Sequence, residues 1–267
     1  MRGALSLRRE LTTFASGPFE LVASVDLPDG AGPDARVPGV LFCHGFTGSR
    51  MEARRLYARL AQKLAARGIG VFRFDHRGCG DSDGDFLDFT PAGLLEDLDC
   101  ALAAFLRQEW LDRAGMGVVG YSLGGVSASY VLGREPSFRA GVMWAPVSRP
   151  GIIRERLAKL PGFDLHGKQG HFDYYGWRVS REYIDGIGEA AKPVEWIRGY
   201  AGPVLFIHGA ADELVRPEQT ERFLAARANP GDRRLLIDGG DHSFTTADNM
   251  DLVLRESEEW LASHLPG

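Results

Sequence analysis

Short apolar runs alternate with segments of helical spacing along most of the chain, and this alternation is what most restricts the fold. The apolar runs cover residues 40–43, 69–74, 116–120, 140–144, 204–207 and 234–237, and the helical segments cover 51–67, 91–110, 123–132, 217–228 and 250–264. Uninterrupted apolar runs are typical of strands buried on both faces. Strands that alternate with helices predict a mostly parallel, twisted α/β sheet with helices on both faces.

Two stretches depart from this alternation. Residues 7–14 and 19–27 alternate apolar and polar side chains around a Gly-Pro break, which predicts an antiparallel hairpin at one edge of the sheet. Residues 147–198 fit neither period, hold two or three short helical patterns, and are too long for a simple connection. We expect a cap at 147–198, inserted in a core of residues 1–146 and 199–267. It would cover the carboxyl ends of the strands, where such sheets bind ligands.

Composition narrows the class of partner. The net charge of -5 over 267 residues disfavours nucleic acid or an anionic membrane as the main partner. No signal-peptide pattern follows the N-terminus, and no apolar run reaches the roughly 20 residues of a membrane span. The three cysteines lack CxxC spacing, which indicates reduced thiols. We expect a cytoplasmic protein that needs no cofactor or metal and acts on a small molecule; a homodimer stays open.

The first candidate for a catalytic residue lies in a G-x-S-x-G motif at residues 120–124. It lies between a predicted buried strand and a predicted helix, the context in which this motif marks a nucleophile elbow. Gly120 and Gly124 give the room that so tight a turn requires, and the Ser122 hydroxyl would stand at a helix N-terminus. The alternative is that Ser122 merely caps the helix. The motif and its position together favour Ser122 as a nucleophile.

An acid and a base are expected after the serine, in that order. Asp212 follows the strand at 204–207, and His242 follows the last strand, so both lie at the same sheet edge as the elbow. His242 would take and return the serine proton, and Asp212 would orient the imidazole. The competing residues are His44, His76, His166, His171, His208 and His264, and the acids Glu213, Asp238 and Asp241. Asp212 is favoured because Val215 can close its turn while the carboxylate points inward.

An acyl-transfer site also needs two N–H donors for the oxyanion. One is expected from Leu123, the residue after the nucleophile, and the second from Phe46 in the loop after the first parallel strand. Gly45 lets the chain turn the Phe46 amide inward. The neighbouring His44 is interpreted as a structural residue that ties the loop together.

The motifs HGFTGS, FRFDHRGCGDSDGDF, GYSLGG, HGAADELV and GGDHSF together resemble the α/β-hydrolase superfamily along nearly the whole chain. The first two are most similar to the branch of feruloyl or cinnamoyl esterases and serine aminopeptidase-like proteins. The resemblance implies that Ser122, Asp212 and His242 form a catalytic triad, with an oxyanion hole from Phe46 and Leu123. It also implies that Asp75 and Arg77 brace a loop beside the site.

Carboxylic-ester hydrolysis through an acyl-serine is the favoured function, and the cap suggests aromatic acyl groups of the feruloyl or cinnamoyl type. The side chains expected to contact substrate are Phe46, Tyr121, Tyr174, Tyr175 and Trp177. For the cap aromatics, the favoured interpretation is that they form the cap's own small core. An aminopeptidase, an amidase or an acyltransferase could use the same triad. An aminopeptidase would draw on the cap carboxylates, which are Glu155, Asp164, Asp173, Glu182, Asp185, Glu189 and Glu195. A non-catalytic ligand-binding protein is a remote alternative because the motifs are intact.

Overall fold

The computed structural model describes residues 7–157 and 170–265, whose strands form one large and one small sheet. The strands are β1 Leu7–Ser16, β2 Phe19–Pro28, β3 Val37–Cys43, β4 Gly70–Phe74, β5 Leu111–Tyr121, β6 Ala140–Trp144, β7 His171–Tyr174, β8 Trp177–Ser180, β9 Val204–Gly209 and β10 Arg233–Ile237. The large sheet has the order β1-β2-β4-β3-β5-β6-β9-β10. β1 and β2 pair antiparallel, β2 pairs antiparallel with β4, and all the following neighbours are parallel. The predicted parallel sheet with an N-terminal hairpin is confirmed.

Helices cover both faces of the large sheet, as predicted. They are α1 Leu56–Ala65, α2 Pro91–Leu106, α3 Gly124–Arg134, α4 Ile152–Leu157, α5 Arg181–Ala190, α6 Pro193–Ile197, α7 Glu218–Arg227 and α8 Ala247–His264. Buried apolar residues of α1 and α8 pack on one face, and those of α2 and α3 pack on the other. Among the described residues, no helix combines the length and apolar character needed to span a bilayer. The two apolar layers therefore enclose a sheet whose strand ends are free to carry a site.

Two helices, α1 and α2, differ most from their predicted bounds. The helix expected from residue 51 begins only at Leu56, because Glu52, Arg54 and Arg55 have left-handed φ values of 55°, 52° and 59°. A 3₁₀ turn at Ala53–Arg55 occupies that place. The helix expected to reach residue 110 ends at Leu106, and β5 begins at Leu111, before the predicted 116. A helix cannot continue through consecutive residues with positive φ, and this explains the first difference.

The segment expected to be a cap contains α4, α5, α6 and the separate hairpin β7–β8. The sequence predicted only helices here, and the hairpin is a correction. Its two-residue turn, Tyr175-Gly176, has φ values of 50° and 87°, the mirror-image turn that suits a tight hairpin. The predicted cap aromatic Phe163 and the histidine His166 lie outside the described residues.

Candidate active site

The loop between β5 and α3 is a strained turn whose geometry requires glycine on both sides. Ser122 has φ 55°, and its N–H donates to the Trp144 carbonyl at 2.9 Å. A Cβ added to Gly124 would lie 1.9 Å from the Cys43 carbonyl oxygen, and one added to Gly120 would lie 2.1 Å from the Gly124 carbonyl oxygen. No real Cβ can approach oxygen so closely. The turn therefore holds Ser122 at the carboxyl edge of the sheet, with neighbouring backbone packed directly against it.

The structure brings Ser122, His242 and Asp212 together from three separate loops. The Ser122 Oγ lies 3.0 Å from His242 Nε2, and His242 Nδ1 lies 2.7 Å from Asp212 Oδ2. A carboxylate only accepts hydrogen bonds, so Nδ1 carries the proton and Nε2 is free to accept from the serine hydroxyl. The Tyr121 ring stacks on the imidazole at 5.3 Å, and its hydroxyl donates to the His242 carbonyl at 3.0 Å. Tyr121, a predicted substrate contact, thus also positions the histidine loop.

Asp212 is held ionised by its surroundings. Its Oδ1 accepts the Leu214 N–H at 2.9 Å and the Val215 N–H at 2.7 Å. Its Oδ2, the atom that contacts His242 Nδ1, also lies 3.3 Å from His208 Nε2. Burial acts to raise the pKa of Asp212, but hydrogen bonds from His208 and His242 outweigh it and lower that pKa to about 2. The Asp212 carboxylate is therefore negative at neutral pH.

The competing histidines have structural contacts. His208 is buried, with Nδ1 2.7 Å from the Thr220 hydroxyl and Nε2 2.6 Å from the Val215 carbonyl. His44 is buried as well; its Nδ1 lies 2.8 Å from the Gly45 carbonyl, and its Nε2 accepts the His76 N–H at 3.1 Å. Burial, helped by the nearby His76, lowers the pKa of His44 to about 3, so this ring stays neutral. His44 has the structural contacts that the sequence suggested.

Of the candidate acids, Asp212 is the one that contacts the imidazole, at 2.7 Å. Asp238 and Glu213 are exposed, and Asp241 accepts from the backbone and hydroxyl of Thr245. Asp75 and Arg77 make bracing contacts: Asp75 pairs with Arg50, and Arg77 pairs with the buried Asp97. The described acids near the site thus leave Asp212 as the partner of His242.

The loop that follows β3 lies directly against the elbow. A Cβ added to Gly45 would lie 3.5 Å from the Ser122 Cβ and 3.4 Å from the Tyr121 carbonyl oxygen. Within residues 7–157 and 170–265, neither the Phe46 N–H nor the Leu123 N–H donates to a protein acceptor. Two unoccupied backbone donors beside the serine hydroxyl are what an oxyanion site requires.

An apolar chamber of about 160 Å³ opens beside Ser122. Its walls are Phe46, Leu123, Val147, Pro150, Ile152, Ile153, Leu157, Tyr174, Tyr175, Tyr183, Leu214 and Val215. A cavity of about 150 Å³ is large enough to hold a benzene ring. An adjoining groove, lined among others by Tyr121, Trp177 and His242, leads from the serine to the surface. All five predicted substrate-contact residues therefore line one of these two spaces.

Aromatic side chains of the segment expected to be a cap pack against loops of the large sheet. Phe46 stacks on Tyr183 at 5.3 Å and lies 5.6 Å from Tyr174, while Trp177 meets Phe86 edge-on at 5.0 Å. Tyr183, Tyr174 and Trp177 therefore do not pack only within their own segment. They form an aromatic wall shared with the loops of the sheet.

Comparison with known proteins agrees with this architecture. Residues 36–162 match the family model described as serine aminopeptidase, S33. The chain is 27% identical over 235 residues to the uncharacterized protein YfhR of Escherichia coli (strain K12), which covers 86% of this chain and 72% of YfhR. The structure of Est1E from Butyrivibrio proteoclasticus with ferulic acid bound superposes with a TM-score of 0.81 at 23% identity, over 95% of this chain and 98% of that one. The esterase domain of a Rhodothermus marinus protein gives 0.71 at 22% identity, over 97% and 100%.

The chain has the α/β-hydrolase fold. The sheet order, the tight strand-to-helix turn after β5 and the likeness to the Est1E structure agree on this assignment. The match of residues 36–162 to the serine aminopeptidase family model supports a hydrolase in general. Among the described residues, no group of three or more His, Cys, Asp or Glu side chains is arranged to hold a metal ion.

Two residues near the site, Glu52 and Arg54, were not predicted from the sequence. The Glu52 carboxylate accepts the Gly45 N–H at 2.6 Å, directly behind the loop that carries Phe46. The Arg54 guanidinium donates to the Ser243 carbonyl, on the loop that carries His242. Both residues lie in the strained turn before α1, which helical spacing alone presented as part of the helix. Only the departure from helical geometry before α1 distinguishes these two residues, and helical spacing in the sequence does not reveal it.

Proposed function

We propose that this hydrolase cleaves carboxylic esters through an acyl-serine intermediate, with Ser122 as nucleophile. The observation that carries the proposal is the unbroken contact from Ser122 Oγ through the His242 ring to the Asp212 carboxylate. A serine hydroxyl is a weak nucleophile until a base takes its proton, and an imidazole ordered by a carboxylate is the base that this reaction uses.

In the acylation half-reaction, Ser122 Oγ attacks the ester carbonyl carbon while its proton passes to His242 Nε2. The carbonyl oxygen becomes an oxyanion, which accepts hydrogen bonds from the N–H groups of Phe46 and Leu123. The tetrahedral intermediate then breaks its bond to the alcohol oxygen. The Nε2 proton moves to that oxygen, so that the alcohol leaves neutral and the acyl group stays on Ser122.

In the deacylation half-reaction, a water molecule takes the place of the alcohol. His242 Nε2 removes one proton from it as the water oxygen attacks the acyl carbon. The second tetrahedral intermediate collapses by breaking the bond to Ser122 Oγ, which recovers the proton from Nε2. The carboxylic acid leaves, and the protein returns to its starting state, with Asp212 having stabilised the imidazolium in both halves.

We propose further that the apolar chamber takes the acyl group, and that short or aromatic acyl chains fit it best. Support comes from its volume of about 160 Å³ and from its walls of aliphatic side chains and tyrosine rings. Est1E, of similar fold, has been solved with ferulic acid bound. The adjoining groove is the path by which the alcohol would leave.

Aminopeptidase activity would need a carboxylate placed to bind the substrate's amine. Among the described residues that line the chamber and groove, Glu52 is the only acid, and it is already bonded to backbone. The described cap carboxylates line neither space, while Asp164 lies outside the described residues. This favours esters over aminoacyl substrates; transfer of the acyl group to another alcohol would share the same first half-reaction.

A panel of p-nitrophenyl esters of graded chain length, with methyl ferulate and an aminoacyl p-nitroanilide, tests this function. We expect turnover of the esters, a decline beyond the chain length that the chamber holds, and no cleavage of the nitroanilide. Ser122→Ala should abolish turnover and keep the thermal unfolding temperature within a few degrees. Full activity in Ser122→Ala, or cleavage of the nitroanilide alone, would reject the proposal.

A further inference from the structure

Glu52 is an acid beside the proposed reaction centre to which the mechanism gives no role. Among the described residues it is the one carboxylate that lines the groove shared by Ser122 and His242. Its side chain is half-buried at the end of a strained backbone segment, with φ 55° at Glu52 itself. A non-glycine residue in this conformation costs of order 1–3 kcal/mol and persists where the surrounding structure demands it.

The carboxylate lies in a cradle formed by the loop after β3. Oε1 accepts the Gly45 N–H at 2.6 Å, and Oε2 accepts the N–H of Ala53 at 3.4 Å. A Cβ added to Gly48 would lie 2.7 Å from Oε1, so the absence of a side chain there leaves room for the carboxylate. The glycines of the motif at 44–48 therefore fit around Glu52 as well as around the elbow.

Glu52 holds one end of Gly45 while other groups hold its opposite end. The Gly45 carbonyl accepts from His44 Nδ1 at 2.8 Å and from the Gly48 N–H at 3.0 Å. Glycine is the most flexible residue, so both of its flanking peptides need restraint if their direction is to be constant. In a trans peptide the C=O and the next N–H point in opposite directions. His44 and Gly48 hold the peptide that carries the Phe46 N–H, and Glu52 holds the peptide before it, so that together they fix both backbone torsions of Gly45 and with them the direction of the Phe46 N–H.

The electrostatic surroundings of Glu52 are unfavourable to its charge. The groups that face it are the phenols of Tyr57 and Tyr121, the thiol of Cys79 and the backbone amides that it accepts. Burial raises the pKa of Glu52 to about 7, against the lowering effect of the Gly45 and Ala53 amides. Strongly perturbed acids concentrate at functional sites, where a position is kept at a cost in stability.

We propose that Glu52 is a positioning residue for the oxyanion hole: its hydrogen bond to the Gly45 N–H sets the direction in which the Phe46 N–H points. This rests on the proposed ester hydrolysis. Glu52 acts by accepting a hydrogen bond, and it touches neither the substrate nor the reacting atoms.

The test compares Glu52→Gln, which keeps an acceptor oxygen, with Glu52→Ala, which removes it. The steady-state rate of p-nitrophenyl acetate hydrolysis is divided by the concentration of sites that a fluorophosphonate probe labels. Unfolded protein is then not counted. We expect Glu52→Ala to lower kcat by about 10–100-fold with KM changed by less than about 3-fold, because the donor is misaligned but present. Glu52→Gln should keep kcat within about 3-fold of the wild type.

Two further variants test this interpretation: one is a control, and the other disturbs Glu52 without replacing it. Glu109→Ala removes an exposed carboxylate between α2 and β5, at the opposite end of the sheet, and should leave kcat unchanged. Gly48→Ala keeps Glu52 but directs a methyl group at its Oε1, and should lower kcat in the same way as Glu52→Ala.

Wild-type kcat in Glu52→Ala, or equal losses in the Ala and Gln variants, would overturn the positioning role. The proposed function is assessed separately with Ser122→Ala in the same assay. Turnover by that variant would reject the ester mechanism itself. Loss of turnover in Ser122→Ala beside wild-type kcat in Glu52→Ala would reject only the role of Glu52.

Discussion

The two walls around Ser122 are built in different ways. On the sheet side, the elbow and the loop after β3 touch through backbone atoms, with Gly124 fitted against the Cys43 carbonyl and Gly45 against Ser122. On the cap side, the contacts are between side chains: the rings of Tyr174 and Tyr183 lie on Phe46 at 5.6 and 5.3 Å. Tyr174 belongs to the hairpin β7–β8, which is a small separate sheet, and Tyr183 belongs to α5.

In the proposed mechanism, the sheet-side wall holds the reacting groups and the cap-side wall selects the substrate. Backbone contacts leave no room for a larger residue, so the sheet-side wall keeps the reacting groups in one arrangement. On the cap side, the aromatic side chains can be replaced one residue at a time with only a modest loss of packing. Changes on the sheet side should therefore affect kcat or folding, and changes on the cap side should affect the preference for the acyl group.

The largest effect is expected from the sheet side at His242. His242→Ala should lower kcat by about 10⁴–10⁶-fold, because the hydroxyl then has no base. The imidazole is only 11% exposed and stacks on the Tyr121 ring, so some loss of stability is expected beside the loss of rate, and the unfolding temperature is measured as well. Stopped-flow or long-time assays with p-nitrophenyl acetate measure the residual rate. A loss below about 10-fold would show that another group acts as base.

The next largest effect is expected on the free energy of unfolding, from a substitution at Gly124. Gly124→Ala would place a methyl group 1.9 Å from the Cys43 carbonyl oxygen, so the elbow must shift or the fold must open. We expect a loss of at least about 1–3 kcal/mol in the free energy of unfolding by urea. Gly199→Ala is the matched control, because nothing lies within 4 Å of its added Cβ. Equal stability of the two variants would remove the argument that backbone contact fixes this wall.

On the cap side, Tyr174→Ala should change selectivity more than rate. We expect kcat/KM for methyl ferulate to fall by about 3–10-fold relative to p-nitrophenyl acetate, since one apolar contact with the acyl group is lost. Tyr175→Ala serves as the comparison, because that ring is 80% exposed, and it should have a smaller effect. An equal loss for both esters would place Tyr174 in the machinery of the reaction.

The smallest effect is a pH dependence of stability at Glu52. The pKa of Glu52 is raised to about 7 in the folded state, so folding is penalised once the pH passes its ordinary value of 4.5. The penalty is complete above the folded pKa and absent at low pH. Glu52→Gln cannot ionise, and its unfolding temperature should exceed that of the wild type by more at pH 8 than at pH 5. A difference independent of pH would show that burial does not perturb this carboxyl.

The sequence could predict the sheet-side wall because each part follows a strand end. The motif at Ser122, and the loops with Asp212 and His242, all come directly after apolar runs, and parallel strands bring their carboxyl ends to one edge. The role of Glu52 could not be predicted, since it depends on positive φ values at residues 52 and 54 that helical spacing does not reveal. The hairpin β7–β8 was missed because its strands have four residues each and its Tyr-Gly turn is a weak signal.

The central claim is that the Ser122 oxygen attacks the substrate with His242 as its base. Mass spectrometry of phosphonylated peptides tests this claim most directly. A fluorophosphonate should add one equivalent to the peptide that carries Ser122, leave Ser122→Ala unlabelled, and react at least about 10³-fold more slowly with His242→Ala. Label on a different residue, or an unchanged labelling rate in His242→Ala, would contradict the account.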